Sequence, residues 1–185
     1  MRILIAGATG VLGRALIPHL PDHEILGTTR APDKRAVLTA LGARAEVCDV
    51  YEAGAFARVA AAFAPEIVVN FLTDLANGPG PANHRIRTEG GPVVAAAAVA
   101  CGARRLVVES LAFATSPASS AAVASLEANA LATGLEVVIL RFGLLWGPAT
   151  WYASRPDGQA LHVDEAGRQA SALLLGARPG IYAVT

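Results

Sequence analysis

Lysine is almost missing from this chain: of fifteen basic residues only Lys34 is a lysine, so any residue pair that calls for an amine must find it there. Cysteine is nearly as scarce. Cys48 and Cys101 lie far apart on apolar segments and neither has a paired metal spacing, so they read as buried free thiols suited to a reducing cytoplasm. No grouping of histidine, cysteine and carboxylate has the spacing of a metal site. Net charge is also lacking. Fifteen basic residues balance fifteen acidic ones, which removes the electrostatic argument for a nucleic acid or an anionic surface as partner.

Long apolar runs are absent too, although 54% of the residues are hydrophobic and mean hydropathy is +0.45. A membrane span needs about 20 uninterrupted apolar residues. The best run, Pro92 to Gly102, falls short and is closed by Arg104 and Arg105. At the start, Arg2 and the apolar residues after it mimic a secretory leader, but regular glycines and Arg14 interrupt them, so the segment is expected to be mature structure. Neither an internal repeat nor a low-complexity tail is visible. The alanine- and arginine-rich, lysine-poor composition fits a GC-rich bacterial genome.

What the chain does contain is alternation. Apolar bursts predict strands at Arg2–Ala6, Glu24–Thr29, Ala45–Cys48, Glu66–Phe71, Arg104–Glu109, Leu135–Arg141 and Gly180–Val184. Helical patterns between them predict helices at Val11–Leu20, Asp33–Leu41, Ala53–Phe63, Glu89–Cys101, Ser120–Thr133 and Asp164–Leu175. Nearly continuous apolar strands suit a parallel sheet covered on both faces, so the fold class is α/β: a doubly wound parallel sheet of about seven strands with helices on both faces. With 185 residues the chain is expected to be one domain. Two irregular segments, Thr73–Arg85 and Gly147–Leu161, start at carboxyl ends of strands, where open α/β sheets bind ligands. Each is a candidate lid or an ordinary mobile loop.

"GATGVLG" sets Gly7, Gly10 and Gly13 at G-x-x-G-x-x-G spacing between the first strand and the first helix. The first glycine permits a tight turn, the second a close phosphate, and the third close helix–strand packing. A dinucleotide site is expected, with Gly7, Thr9, Gly10, Val11, Leu12 and Gly13 around the pyrophosphate. The second strand then runs into "GTTRAPDKR". NAD sites usually carry an acid at this strand end for the ribose 2′-hydroxyl. Here stand Thr29 and Arg30, and a guanidinium pairs well with a 2′-phosphate, so NADP(H) is expected over NAD(H). The alternative leaves Arg30 a solvated loop residue.

Taken with later segments, this motif resembles the extended and atypical short-chain dehydrogenases of the NAD(P)-dependent epimerase/dehydratase family. "GARAEVCDV" resembles the family's third-strand signature, which implies Asp49 and Val50 beside the adenine. "PEIVVNFLTDL" resembles the fourth-strand segment, implying Phe71, Leu72 and Thr73 along the nicotinamide ribose. "RIRTEGGPVVAAAAVACGARRLVVES", "VVILRFGLLWGP" and "HVDEAGRQASALLL" resemble the following helix and strand, the sixth strand and a late helix. The resemblance implies a Rossmann fold and an NAD(P)-dependent enzyme acting on a small molecule.

Two departures stand against that pattern. The family mostly uses a Tyr-x-x-x-Lys pair, and aligning Glu127 with its following glutamate puts Ser119 and Val123 in those places. The tyrosines, Tyr51, Tyr152 and Tyr182, lie elsewhere. The stretch that builds much of the family's substrate domain is cut to Ala149–Leu161, so residues 147–161 read as a short remnant and the substrate region as minimal.

Candidates for the chemistry are then Ser110, as a hydrogen-bond donor at the end of the fifth strand, and Tyr152, as a proton donor with Arg155 as cation. A strand-end serine capping backbone and an aromatic lid are the plainer alternatives. Asp74 and His84 form a further acid–base candidate against a turn cap and a solvated histidine, while Asp164 reads as a helix N-cap. Glu109 suits a structural or dimer contact. The alanine-rich helices near residues 91–101 and 120–133 imply a homodimer, as in the resembling family, or burial within one subunit. Three functions remain open: an NADP(H)-dependent oxidoreductase with a nonstandard proton donor, a redox-neutral cyclase or isomerase, and a non-catalytic NADP(H) sensor.

Overall fold

Strand and helix alternate from Arg2 to Val184 in the computed structural model, which describes residues 1–75, 78, 80–113 and 115–185. The strands are β1 (Arg2–Ala6), β2 (Glu24–Thr29), β3 (Arg44–Val47), β4 (Ile67–Asn70), β5 (Arg105–Leu111), β6 (Glu136–Phe142), β7 (Leu144–Trp146), β8 (Ala160–His162) and β9 (Gly180–Val184). Seven form one sheet in the order β3-β2-β1-β4-β5-β6-β9, and every neighbouring pair is parallel. This is the expected doubly wound sheet. Strand order reverses between β1 and β4, and that switch point opens a crevice at the carboxyl ends.

Alternate strand residues feed two cores. Ile3, Ile5, Ile67, Val69, Val107, Val138 and Leu140 face one layer. Leu4, Ala6, Val68, Leu106, Val108, Val137 and Ile139 face the other. Both sets are essentially solvent-free, which explains why the strands read as continuous apolar runs. The first layer is built by α1 (Val11–Leu16), α2 (Arg35–Ala40) and α7 (Val163–Gly176). The second is built by α3 (Ala55–Phe63), α5 (Gly91–Ala100) and α6 (Pro117–Leu131), with the short α4 (Pro81–Arg85) leading into it.

Several element ends differ from the sequence expectation, each for a local reason. The first helix stops at Leu16 and tightens into a 3₁₀ turn over Ile17–His19, because Pro18 offers no amide for the α-helical ladder. The fifth helix is reached through a helical run from Pro81 that widens to a π-turn at Ile86–Gly90. Pro92 follows at the first positions of α5 and cannot donate to Thr88, which accounts for the widening. Helix α6 starts earlier than expected, where the Ser116 hydroxyl accepts the Ser119 amide and Pro117 supplies a preset first turn. Helix α7 is capped by His162, whose Nδ1 accepts the Asp164 amide at 3.4 Å, and not by Asp164 itself.

Segment 147–161 is bracketed by β7 and β8, which pair in parallel as a separate two-stranded sheet that the apolar pattern missed. Three residues are too few for periodicity to register. Among the described residues no helix is long and apolar enough to cross a membrane, and no cluster of histidine, cysteine and carboxylate could hold a metal.

Candidate functional site

The crevice at the switch point is a cleft of about 230 Å³ lined by residues from the ends of β1, β2, β3 and β4, together with Ile86. Its floor is the glycine loop. Gly7 leaves β1 with φ of +82° and accepts the Gly10 amide at 2.9 Å, closing a tight turn. A side chain at Gly7 would run into the Phe71 carbonyl oxygen, so β4 can approach only because the residue is glycine. Gly10 caps α1 without a side chain, and the first-turn amides keep no helical partner. A Cβ on Gly13 would lie 2.6 Å from the Ala8 Cα, so this glycine serves the helix–strand contact and not the cleft wall.

The wall beside β2 is polar and cationic. Thr29 Oγ1 accepts the Ala31 amide at 3.2 Å, turning the chain so that Arg30, Ala31 and Lys34 border the cleft. No carboxylate is among the lining residues. Arg30 Nη2 meets Asp74 Oδ2 at 3.0 Å across the mouth, and the Asp74 amide donates to Asn83 Oδ1 at 3.0 Å. Opposite, Cys48, Val50 and Ile86 make an apolar wall. Burial, with Asp49, Glu52 and Glu46 nearby, pushes the Cys48 thiol up to about 11. Tyr51 lies behind this wall with the Arg85 guanidinium 4.0 Å from its ring centre, and burial also holds its phenol above the ordinary value.

Of the thirteen residues expected around a dinucleotide, Gly7, Thr9, Gly10, Thr29, Arg30, Val50, Phe71, Leu72 and Thr73 line this cleft. Val11, Leu12, Gly13 and Asp49 stand outside the lining. Leu12 and Gly13 are turned into the core, and the Asp49 carboxylate accepts the Tyr51 amide at 3.0 Å instead. Ala31, Cys48 and Ile86 line it without having been anticipated, and so do Thr28 and Lys34, which belong to the same GTTRAPDKR segment as Thr29 and Arg30. Lys34 was visible in the sequence only as a neighbour of Arg30, and Ile86 arrives through the π-turn, which no local pattern announces.

The proposed chemical residues are distributed differently from the expectation. Ser110 is fully buried, and its hydroxyl donates to Glu127 Oε1. Glu127 also accepts Arg141 Nε at 2.9 Å and Nη2 at 2.7 Å. That bidentate guanidinium, helped by Ser110, holds the Glu127 carboxyl below the usual range. With its one proton committed, Ser110 braces β5 against α6 and has none left for a substrate carbonyl. Glu109 is likewise structural: it faces the buried Arg87 at 3.0 Å. Tyr152 is 37% exposed, bridged to Trp146, and outside the cleft lining. Asp74 and His84 do not meet. Asp74 holds Arg30, whereas His84 Nε2 lies 2.8 Å from Ser119 Oγ, which in turn accepts Ser116 Oγ at 3.1 Å. The structure thus joins two residues that the sequence kept apart by 35 positions.

Similarity to known proteins agrees with this geometry. The model of the NAD dependent epimerase/dehydratase family matches residues 3–121. A curated Streptomyces protein, 3-diazoavenalumate denitrifying reductase, is 35% identical over an alignment 197 positions long, gaps included, that takes in 88% of this chain. The alignment takes in 62% of the relative, so the chain spans under two thirds of that protein's length. Among solved structures, the Bordetella bronchiseptica enzyme WbmG in complex with NAD superposes with a TM-score of 0.80 at 26% identity, over 100% of this chain and 72% of its own. Thermus thermophilus UDP-glucose 4-epimerase, in complex with NAD, gives 0.80 at 17% identity, over 100% and 77%, a likeness of fold alone.

Proposed function

The chain belongs to the NAD dependent epimerase/dehydratase family, and from that premise we propose that it is an NADP(H)-dependent reductase of a small molecule. One observation carries the coenzyme reading: two cations, Arg30 and Lys34, are among the residues lining the cleft over the glycine loop and no carboxylate is, the Asp74 carboxylate meeting Arg30 only at the mouth. WbmG and the Thermus epimerase were solved with NAD, so the proposed preference for the 2′-phosphate rests on this chain's own second strand and not on those neighbours. Gly7, Gly10 and the first amides of α1 would hold the pyrophosphate. Cys48, Val50 and Ile86 would frame the adenine, and Phe71, Leu72 and Thr73 the nicotinamide ribose. Bound there, the reduced nicotinamide supplies a hydride.

The curated relative is a reductase, and its name describes loss of nitrogen from a diazo compound. That chemistry fits the residues of α6, which carries neither tyrosine nor lysine. A carbonyl carbon that accepts hydride leaves an oxyanion that must be protonated. A carbon bearing a diazonium group that accepts hydride forms a C–H bond while the C–N bonding pair departs with dinitrogen, which discharges the diazonium cation, so no protein acid is required. We therefore read the missing Tyr-x-x-x-Lys pair as matched to the substrate, with the protein supplying position and exclusion of water. The His84–Ser119 contact favours a second reading, in which this pair relays the proton for an ordinary carbonyl reduction. We also propose a homodimer through α5 and α6, whose Val93, Val99 and Leu131 are 36%, 47% and 53% exposed.

The test is NADPH oxidation under anaerobic conditions with an aryl diazonium acid and with aldehydes and ketones, on the parent and on His84→Asn. Turnover of the diazonium acid by both proteins supports the first reading. Turnover of carbonyls that His84→Asn abolishes supports the second. Coenzyme binding without oxidation of NADPH by either class would refute both and leave the sensor.

A further inference from the structure

Arg30 follows β2 and Asp74 follows β4, and these strands flank β1 on opposite sides. Their 3.0 Å contact therefore crosses the mouth of the cleft above the glycine loop. From this we infer that Asp74 is a selectivity-setting competitor for the coenzyme's 2′-phosphate: its carboxylate holds Arg30 until a phosphate takes the guanidinium from it. The inference rests on the NADP(H) reading and assigns Asp74 a part in it.

Three observations carry it. Both side chains reach water, at 50% exposure for Arg30 and 20% for Asp74, so the pair can exchange partners without opening the core. A phosphate offers more charge and more acceptor oxygens than a carboxylate, and it suits the guanidinium fork at least as well. Finally, Asp74 is anchored through its backbone, whose amide donates to Asn83 Oδ1, a group that is itself buried. Losing Arg30 leaves that anchor in place, and the freed carboxylate stays at the rim. Lys34, also on the rim, makes no ion pair among the described residues. A coenzyme with a free 2′-hydroxyl leaves the Arg30–Asp74 pair intact, whereas a 2′-phosphate must displace Asp74 from the guanidinium before it can pair with Arg30. Asp74 thus lowers affinity for NADPH selectively.

The experiment is calorimetric titration of NADPH and NADH into the parent, Asp74→Asn, Arg30→Ala and the double variant. Asparagine is isosteric and leaves the backbone anchor unchanged; Asp74→Ala serves as a second probe of the same site. The expected result is a three- to tenfold gain in NADPH affinity for both Asp74 variants and a change under twofold for NADH. The gain should shrink to under twofold in the Arg30→Ala background. Unchanged or weakened NADPH binding in the Asp74 variants, with the parent still preferring NADPH through Arg30, overturns the inference alone. A parent that binds NADH as well as NADPH, indifferent to Arg30→Ala, overturns the coenzyme reading beneath it.

Discussion

Replacing Glu127 with alanine tests whether Ser110 and Arg141 are scaffold. Glu127 is 8% exposed, and its carboxylate receives three hydrogen bonds, one from Ser110 and two from Arg141. Removing it strands the Ser110 hydroxyl, which is 0% exposed, and an unpaired buried hydroxyl costs about 1–3 kcal/mol. Arg141 has 43% of its side chain in water and can rehydrate, so its share is held to about 1 kcal/mol. The sum is about 2–4 kcal/mol. For 185 residues each kcal/mol moves the melting midpoint by about 2–4 °C, so a fall of about 4–16 °C is expected. The double variant Ser110→Ala/Glu127→Ala should recover about 1–2 kcal/mol, because no hydroxyl is then stranded. The pH dependence has a definite sign. Glu127 is depressed in the folded protein, so its contribution is present above the unfolded carboxyl pKa near 4.5 and is lost as pH falls toward the folded value. Urea unfolding followed by circular dichroism at pH 7 and at acid pH measures all of this. A loss below about 0.5 kcal/mol for Glu127→Ala at pH 7, the usual range for an inconsequential surface change, would refute the reasoning. So would strict additivity of the two substitutions.

Further predictions probe the packing, the thiol and the helical surface. A Cβ on Gly167 would run into the Ala15 carbonyl, so Gly167→Ala should push α7 off α1 and cost about 1–3 kcal/mol; wild-type stability in urea would contradict the contact. Cys48, held up to about 11, should resist alkylation at pH 8, and bound coenzyme should slow the reaction further. Labelling of Cys48 at the rate of a free peptide thiol would show that its wall of the cleft is open. Because its folded pKa is raised, Cys48 should contribute stability below pH 9 that is lost as pH rises toward 11, measurable by comparing the parent with Cys48→Ser. Val99 and Leu131 are 47% and 53% exposed, so Val99→Glu/Leu131→Glu should convert a dimer to monomers in sedimentation experiments. An unchanged sedimentation coefficient would refute the proposed dimer through α5 and α6.

Local patterning fixed much of this protein before any coordinates. The inner strands β1, β2, β4, β5 and β6 were legible because each is a short apolar run with both faces buried, whereas the edge strands β3 and β9 are largely exposed, and G-x-x-G-x-x-G spacing placed the cleft because a tight turn and a close strand both require the absence of Cβ at Gly7. Composition alone excluded a lysine-assisted tyrosine on α6, since the single lysine sits beside β2. Pairings between residues far apart in sequence were another matter. Nothing near Arg30 announces Asp74, 44 positions on, and nothing near His84 announces Ser119. Ser110 read as a free donor because its acceptor arrives from α6, and Asp49 read as part of the cleft because its turn with Tyr51 was unseen. Such contacts depend on strand order and on which way each helix docks. Both are set by burying two apolar faces at once, a property of the whole chain that no window of sequence contains.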